Sequence, residues 1–437
     1  MDQKLLNSHL YPYQMRVSYD KKISSYFVSY PWQGSLYLLN DTAKILFDSF
    51  RQGLTLSEAF EQIVSSGGRD DLLKSCYRYV TQMITSGALI LSDKPWPVSS
   101  KPQDFEKDDS LSHPVRVQIS LTNQCNLSCG HCYNYRPGKE NQKLSIEQIS
   151  AIIEKLDKSG VHIIELVGGE PVTHPQLLKL LALLEKRSFS VRLFTNGTQI
   201  TPKLVEKITG KVSTVLIPIH GTGSYHDNFT GVAGSYTKAL SAIRQFLAHH
   251  FSTVILTAIT EKNKNFLIDI RKIADGLGAW FFSCPVFMGG RASVWDYDAD
   301  KYRRLYRLAL RYNNMNYCNT EAEESVLSDI WPCTAGRAFM YIDAAGDVYP
   351  CPLMTDKIFF CGNILNNDLA EIWKESKVLN SIRAVQYRKI QPCKECKQKK
   401  CFYWCLAHVY ALTKTINTPP PYCEKVRYFN AKEKPLK

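Results

Sequence analysis

The stretch VRVQISLTNQCNLSCGHC, residues 115–132, decides how this chain is read. Its first eight residues, VRVQISLT, are dense in apolar and β-branched side chains and predict a strand. A loop follows that packs Cys125, Cys129 and Cys132 into eight positions. In parallel α/β folds the loops at the C-terminal ends of strands carry the chemistry. A cysteine cluster delivered there is a candidate reactive centre.

Downstream, strand and helix patterns alternate. Further strands fit HIIELVG, SVRLFT, TVLIPIH, STVILTAI and AWFFSCPV, and helices fit SIEQISAIIEKLDKSG, PQLLKLLALLEKRS, PKLVEKI, YTKALSAIRQFLAHH and LIDIRKIADGLG. Six βα units in series imply an α/β fold with a parallel sheet. The segment from 115 to 300 is too short for eight repeats and predicts a partial (β/α)6 barrel. Residues 301–332 read as a bridging region, and cysteines crowd the segment 333–430. Upstream, residues 15–92 form a separate unit: short strands in YFVSY and SLYLLN, then helices in DTAKILFDSF, TLSEAFEQIV and 70–86. Thr55 and Glu58 stand at capping-box spacing. This order predicts a winged-helix-like domain. The polar, proline-bearing residues 93–114 read as a linker.

Composition is that of a globular protein, with 44% apolar and 22% charged residues in 437. No apolar run approaches a membrane span, so no membrane association is expected. MDQKLLNSHL lacks the basic-then-apolar pattern of a signal peptide. A cytoplasmic location follows, where the 14 cysteines stay reduced and clustered ones bind metal. The formal charge of +13, concentrated locally in RKIQPCKECKQKKC, suits an acidic partner or a solvated basic surface.

Three thiolates in one loop can hold a [4Fe–4S] cluster by three of its irons and leave the fourth open. A zinc loop is the alternative, but zinc needs a fourth protein ligand and none lies near in sequence. At the C-terminus Cys333 is followed by twelve residues, Gly346, four residues and Cys351; then come Cys393-x2-Cys396-x4-Cys401-x3-Cys405 and Cys423. The middle four stand at ferredoxin-like intervals, with a zinc ribbon as the alternative. Cys76, Cys284 and Cys361 default to buried thiols.

The CxxxCxxC loop after a first strand resembles the radical S-adenosylmethionine (SAM) superfamily. The resemblance implies that the open iron chelates SAM, and that reductive cleavage yields a 5′-deoxyadenosyl radical. GGEP at the second strand end resembles the motif that binds the SAM amino group, which implicates Gly168, Gly169, Glu170 and Pro171. TNG at the third implicates Thr195, Asn196 and Gly197 in ribose or carboxylate contacts. His131 and Tyr133 flank Cys132, where an aromatic ring would shield the cluster or meet the adenine. The fourth strand departs from the pattern: Pro218 and His220 stand where relatives carry serine and aspartate. His220 replaces that contact, touches substrate or is a plain loop histidine.

The C-terminal cysteines, with GNI at 362–364 and EIW at 371–373, resemble the SPASM domain, although it usually has five residues where this chain has four between Cys396 and Cys401. By position, Cys333, Cys351 and Cys405 would bind a first auxiliary cluster, with Cys318 as fourth ligand or an unligated iron. Cys393, Cys396, Cys401 and Cys423 would bind a second. Three [4Fe–4S] clusters on eleven thiolates add roughly −5 and leave about +8. The N-terminal unit resembles the RiPP recognition element, which binds the leader of a ribosomally made precursor peptide as an added strand. The three resemblances together imply a cytoplasmic radical SAM oxidoreductase that installs a thioether or carbon–carbon cross-link in a peptide. They also imply an acidic flavodoxin- or ferredoxin-like electron donor and no nucleic-acid partner. Pro352 stands where formylglycine-forming relatives carry a basic aspartate, which counts against that branch. A dehydrogenase or epimerase of the same class, or a non-enzymatic metal-stapled binding protein, are the alternatives.

Overall fold

A computed structural model describes residues 3–12, 16–20, 25–29, 36–39, 41–67, 70–85, 89–92, 110–187, 189–313, 331–397, 401 and 403–426. The N-terminal unit opens with α1 (Gln3–Leu6) and β1 (His9–Pro12). An antiparallel meander follows, formed by β2 (Arg16–Asp20), β3 (Ser25–Ser29) and β4 (Leu36–Leu38). Next come α2 (Asp41–Arg51), α3 (Leu56–Ser65), α4 (Asp70–Thr85) and β5 (Leu89–Ser92), which pairs antiparallel with β1. The expected capping box is present: Glu58 N–H donates to Thr55 Oγ1 and Thr55 N–H to the Glu58 carboxylate, at 3.3 and 2.7 Å. Leu46, Phe47, Phe50, Leu56, Phe60, Ile63 and Val80 make a core of this unit's own. Cys76 lies buried in it, as expected.

The six expected strands form one parallel run in chain order: β6 (Arg116–Ser120), β7 (Ile163–Val167), β8 (Ser190–Phe194), β9 (Thr214–Pro218), β10 (Ser252–Ile259) and β11 (Trp280–Pro285). The helices are α5 (Ile146–Lys158), α6 (Leu177–Glu185), α7 (Pro202–Ile208), α8 (Ser224–Thr230), α9 (Ser235–Ala248), α10 (Leu267–Leu277) and α11 (Ala299–Tyr312). Alternation along the strands sorts the two sheet faces. Val117, Ile119, Ile164, Leu166, Val191, Leu193, Val215 and Ile217 join the helices in the main core. Val167, Phe194, Leu216 and Phe282 turn to the other face, where separate clusters form.

The structure corrects the expected boundaries in three places. Helix α8 was not expected. Helix α11 runs into the expected bridging region; Asp298 accepts from Lys301 N–H at its start, and Tyr302, Leu305, Tyr306 and Ala309 supply its buried stripe. Residues 110–114, expected as linker, are packed: Leu111 is fully buried and its carbonyl accepts from Trp373 Nε1 at 2.9 Å.

The cysteine-rich segment continues the same sheet. β12 (Phe339–Ile342) pairs parallel with β6, and β13 (Asp347–Tyr349) and β14 (Gly362–Asn363) extend the sheet antiparallel to nine strands. Helices α12 (Leu369–Glu375), α13 (Lys377–Arg383) and α14 (Leu406–Thr413) complete it. Met340 and Ile342 enter the main core while Tyr341 and Tyr349 pack with Val167 on the other face. Among the described residues no helix is long and apolar enough to cross a membrane.

At the centre of the second face Glu165 is buried between Arg116 and Arg192, at 3.4 and 3.2 Å, and accepts from Gln118 Nε2 at 3.0 Å. Desolvated ions tolerate such a place only as a set. Glu165→Ala leaves two guanidinium charges facing each other, so the variant is expected to lose about 3–5 kcal/mol. Urea unfolding of anaerobically purified protein measures it; a loss below about 1 kcal/mol would contradict this reading.

Candidate active site: a pinned cysteine loop and two further thiol groups

The loop of Cys125, Cys129 and Cys132 is held from the ends of four strands. After β7, Gly169 N–H donates to Thr122 O and Glu170 N–H to Gln124 O, at 2.7 and 2.8 Å. A Cβ on Gly168 would stand 2.3 Å from Thr122 O, and one on Gly169 2.2 Å from Gln124 O. These glycines are therefore required by the approach of the loop itself, whatever else binds there. The Glu170 carboxylate accepts from Val172 N–H, Thr195 Oγ1 and Asn196 N–H at 3.1, 2.7 and 2.7 Å. Pro171 is buried and starts the turn that follows. Past β8, Asn196 Nδ2 donates to Asn126 Oδ1 at 2.8 Å and lies 4.0 Å from Cys125 Sγ. Gly197 takes the turn.

Sequence reading missed the other two attachments. Ser128 N–H donates to Thr230 O at 2.8 Å, at the end of α8 after β9. After β11, Arg291 N–H donates to Cys132 O at 3.0 Å and its Nη1 to Cys129 O at 3.3 Å, while its guanidinium lies 4.0 Å from the centre of the Tyr135 ring. A Cβ on Gly290 would fall 2.1 Å from Cys132 O. The signal was the pair Gly289–Gly290 directly beyond the last strand, followed by an arginine.

Burial pushes the Cys125 and Cys129 thiols up, to about 11 and about 12, and the neighbouring thiols of the loop raise both further. The Arg291 charge opposes this at Cys129 and Cys132. Burial also raises Glu170 to about 7 against its three hydrogen bonds. His131 and His220 touch ring to ring at 4.3 Å beside Phe229, and His226 Nδ1 accepts from His220 N–H at 3.1 Å. Burial holds all three histidines neutral near pH 7: His131 and His226 fall to about 4, and His220 drops well below its usual value. Nδ1 of His131 and of His220 are buried without a hydrogen-bond partner. Burial pushes the Tyr133 phenol well above its usual value, and the neighbouring Tyr341, Cys132 and Cys351 raise it further.

The C-terminal cysteines occupy two neighbourhoods. Burial raises the Cys405 thiol to about 12 and the Cys351 thiol well above its usual value; beyond burial, Cys333 adds to both and Cys405 adds to Cys351. Cys393, Cys396, Cys401 and Cys423 line one pocket with Tyr387 and Trp404, whose rings lie 5.7 Å apart. Cys318 lies outside the described residues. Cys361 is partly buried and its thiol donates to Phe359 O at 3.4 Å. Cys284 departs from the expected buried thiol: it has exposed surface.

Groups of thiols that suppress one another's ionisation suit a polycationic core, which relieves that repulsion on binding. Among the described residues no three His, Cys, Asp or Glu side chains stand close enough to share one ion. A [4Fe–4S] core, by contrast, presents separate irons to its thiolates.

Two variants test this wiring. Glu170→Gln sets an amide donor against groups that already donate. It is expected to weaken the clamp by about 1–3 kcal/mol and to lower anaerobically reconstituted iron by up to about four per chain; full iron would contradict the clamp. Arg291→Met removes the charge beside Cys129 and Cys132 while leaving the backbone bond. It is expected to keep that iron and shift the cluster midpoint potential negative in a redox titration; an unchanged potential would contradict its role.

Comparison with known proteins agrees with this geometry. The Radical SAM superfamily model matches residues 119–273, and the SPASM iron–sulfur cluster-binding domain model matches 333–397. Mycofactocin maturase MftC of Mycobacterium tuberculosis is 27% identical over 343 residues, spanning 75% of this chain and 86% of MftC. The AdoMet-dependent heme synthase of Methanosarcina barkeri is 26% identical over 342 residues, spanning 71% of this chain and 96% of the synthase. The crystal structure of Streptococcus suis SuiB bound to S-adenosylmethionine shares the fold, with a TM-score of 0.65 and 17% identity over 94% of this chain and 99% of SuiB. The chain thus combines a radical SAM domain with an iron–sulfur cluster-binding SPASM domain.

Proposed function

We propose that this protein is a cytoplasmic radical SAM oxidoreductase that modifies a ribosomally made precursor peptide by installing a thioether or carbon–carbon cross-link. The observation that carries the reading is the pinned three-cysteine loop, joined through one sheet to two further cysteine groups. In this reading Cys125, Cys129 and Cys132 hold the cluster that binds SAM. Cys333, Cys351 and Cys405 hold a first auxiliary [4Fe–4S] cluster, and Cys393, Cys396, Cys401 and Cys423 hold a second. When bound and reduced, the SAM-binding cluster would supply the electron for reductive cleavage of SAM and so the radical chemistry needed to take hydrogen from a peptide carbon.

The chain's own residues supply position and electrostatics. Glu170, Thr195 and Asn196 act on SAM chiefly by holding the loop, because their polar atoms are already engaged with it and with one another. A cationic ligand nearby would favour the ionised form of Glu170, which burial otherwise holds at about 7. The free Nδ1 atoms of His131 and His220 are the polar atoms best suited to meet the adenine or ribose. Neutral histidines also place no positive charge against the sulfonium.

The peptide substrate is supported by the N-terminal unit. Its order of strands and helices fits a winged-helix-like recognition element, whose sheet edge can accept a leader as an added strand. SuiB, whose fold covers 93% or more of this chain, was also crystallised bound to its precursor peptide SuiA. The heme synthase likeness favours a second reading, a tetrapyrrole substrate. That match takes in nearly all of the synthase and leaves more than a quarter of this chain outside it. An acidic flavodoxin- or ferredoxin-like protein is the matching electron donor for a basic chain.

Incubation with SAM and dithionite is expected to release 5′-deoxyadenosine. A peptide encoded beside the gene is expected to raise that release and to lose two hydrogens by mass spectrometry. An unchanged peptide mass would point to epimerisation, and no 5′-deoxyadenosine under any condition would contradict the enzymatic reading.

A further inference from the structure

A [4Fe–4S] cluster has four irons to ligate, and Cys333, Cys351 and Cys405 provide three thiols. Cys284 lies on a strand face that packs toward them. It shares its face of β11 with Phe282, two residues earlier, and Phe282 packs with Leu216, Val254 and Phe194. Phe194 in turn belongs to the cluster that contains Cys333, Cys351 and Cys405.

The chain after Cys284 is tied to the same place. Tyr302 donates its hydroxyl to Val286 O at 3.0 Å, and its ring lies 4.9 Å from that of His408. Phe287 stacks on His408 at 5.9 Å, and Cys405 immediately precedes the helix that carries this histidine. The Tyr306 hydroxyl and His408 Nδ1 share a hydrogen bond at 2.7 Å. The Cys284 side chain has free surface rather than a place in a packed core.

We propose that Cys284 is the fourth protein ligand of the cluster held by Cys333, Cys351 and Cys405. The proposal rests on the reading that those three bind a cluster. It replaces Cys318 and the unligated iron as the expected completion of the site. Ligation exchanges the thiol proton for an iron–sulfur bond and releases the proton to solvent. The cluster then spans the two domains, with a ligand from the last strand of the radical SAM sheet. With every iron ligated by protein, it transfers electrons and leaves no position for substrate.

The test uses the full chain with Cys125, Cys129 and Cys132 changed to alanine, so that only the auxiliary clusters report. Into it go Cys284→Ser, Cys284→Ala, Cys318→Ser or Cys333→Ser, each reconstituted anaerobically and followed by iron content, Mössbauer and electron paramagnetic resonance spectra before and after brief ferricyanide oxidation. The parent is expected to hold about eight irons. Both Cys284 variants are expected to change the spectrum of one cluster and to convert it to a three-iron form on oxidation. Complete loss of about four irons with the other four retained supports the ligand assignment equally. Cys318→Ser is expected to match the parent. Parent-like spectra and iron retention in both Cys284 variants, while Cys333→Ser loses or spectrally alters one cluster, would overturn the ligand assignment alone. Parent-like spectra with all iron retained in Cys333→Ser as well would overturn it together with the cluster reading beneath it.

Discussion

The Glu170 carboxylate accepts hydrogen bonds from Val172, Thr195 and Asn196 while its own amide donates to Gln124. One buried residue, by its side chain and its amide together, thereby ties the ends of two strands to the residue before Cys125. The rest of the site depends on this, because a three-cysteine loop has little internal structure to order its thiols against their mutual repulsion. Its order is imposed from outside, by backbone amides and carbonyls at strand ends that the parallel sheet already fixes. Glycines at 168, 169 and 290 make the approach possible, since any side chain there would collide with the loop's carbonyls.

The second constraint is the shared sheet. Because β12 pairs with β6, the strand that leads to the reactive loop is also the strand on which the cysteine-rich segment is built. The two thiol-bearing regions are therefore held by a hydrogen-bonded ladder rather than by a flexible connection. The sheet's second face carries a buried ion set around Glu165 and, towards the strand ends, Phe194, Phe282 and the tyrosines that pack with the auxiliary cysteines. Such a face is suited to hold cofactors at fixed separations in a low-dielectric interior.

Much of this is legible in the sequence. Hydrophobic alternation marks all six strands because each is buried on its helix side, and PKLVEKI marks its helix because Thr201 caps it and Pro202 starts it. The three-cysteine loop stands out by spacing, since ligands a few residues apart can reach one core, whereas the division of the later cysteines comes only from the SPASM resemblance. Other features do not follow. Helix α11 escapes a hydrophobic reading because its apolar stripe is made of tyrosines among arginines, which resemble polar surface. The packing of Leu111 is hidden because a few apolar residues at the end of a polar stretch carry no period. Motif position suggests cofactor contacts for Glu170 and Asn196, whereas their polar atoms hold the loop. Arg291 meets Cys129 across more than a hundred residues of chain, and spacing carries no information on such a contact.

The most direct test of the central claim is the iron, sulfide and zinc content of the anaerobically reconstituted chain beside a variant with Cys125, Cys129 and Cys132 all changed to alanine. About twelve irons with matching sulfide, falling to about eight in the variant, is the result this account predicts. Zinc without sulfide, or iron unchanged by the substitutions, would contradict it.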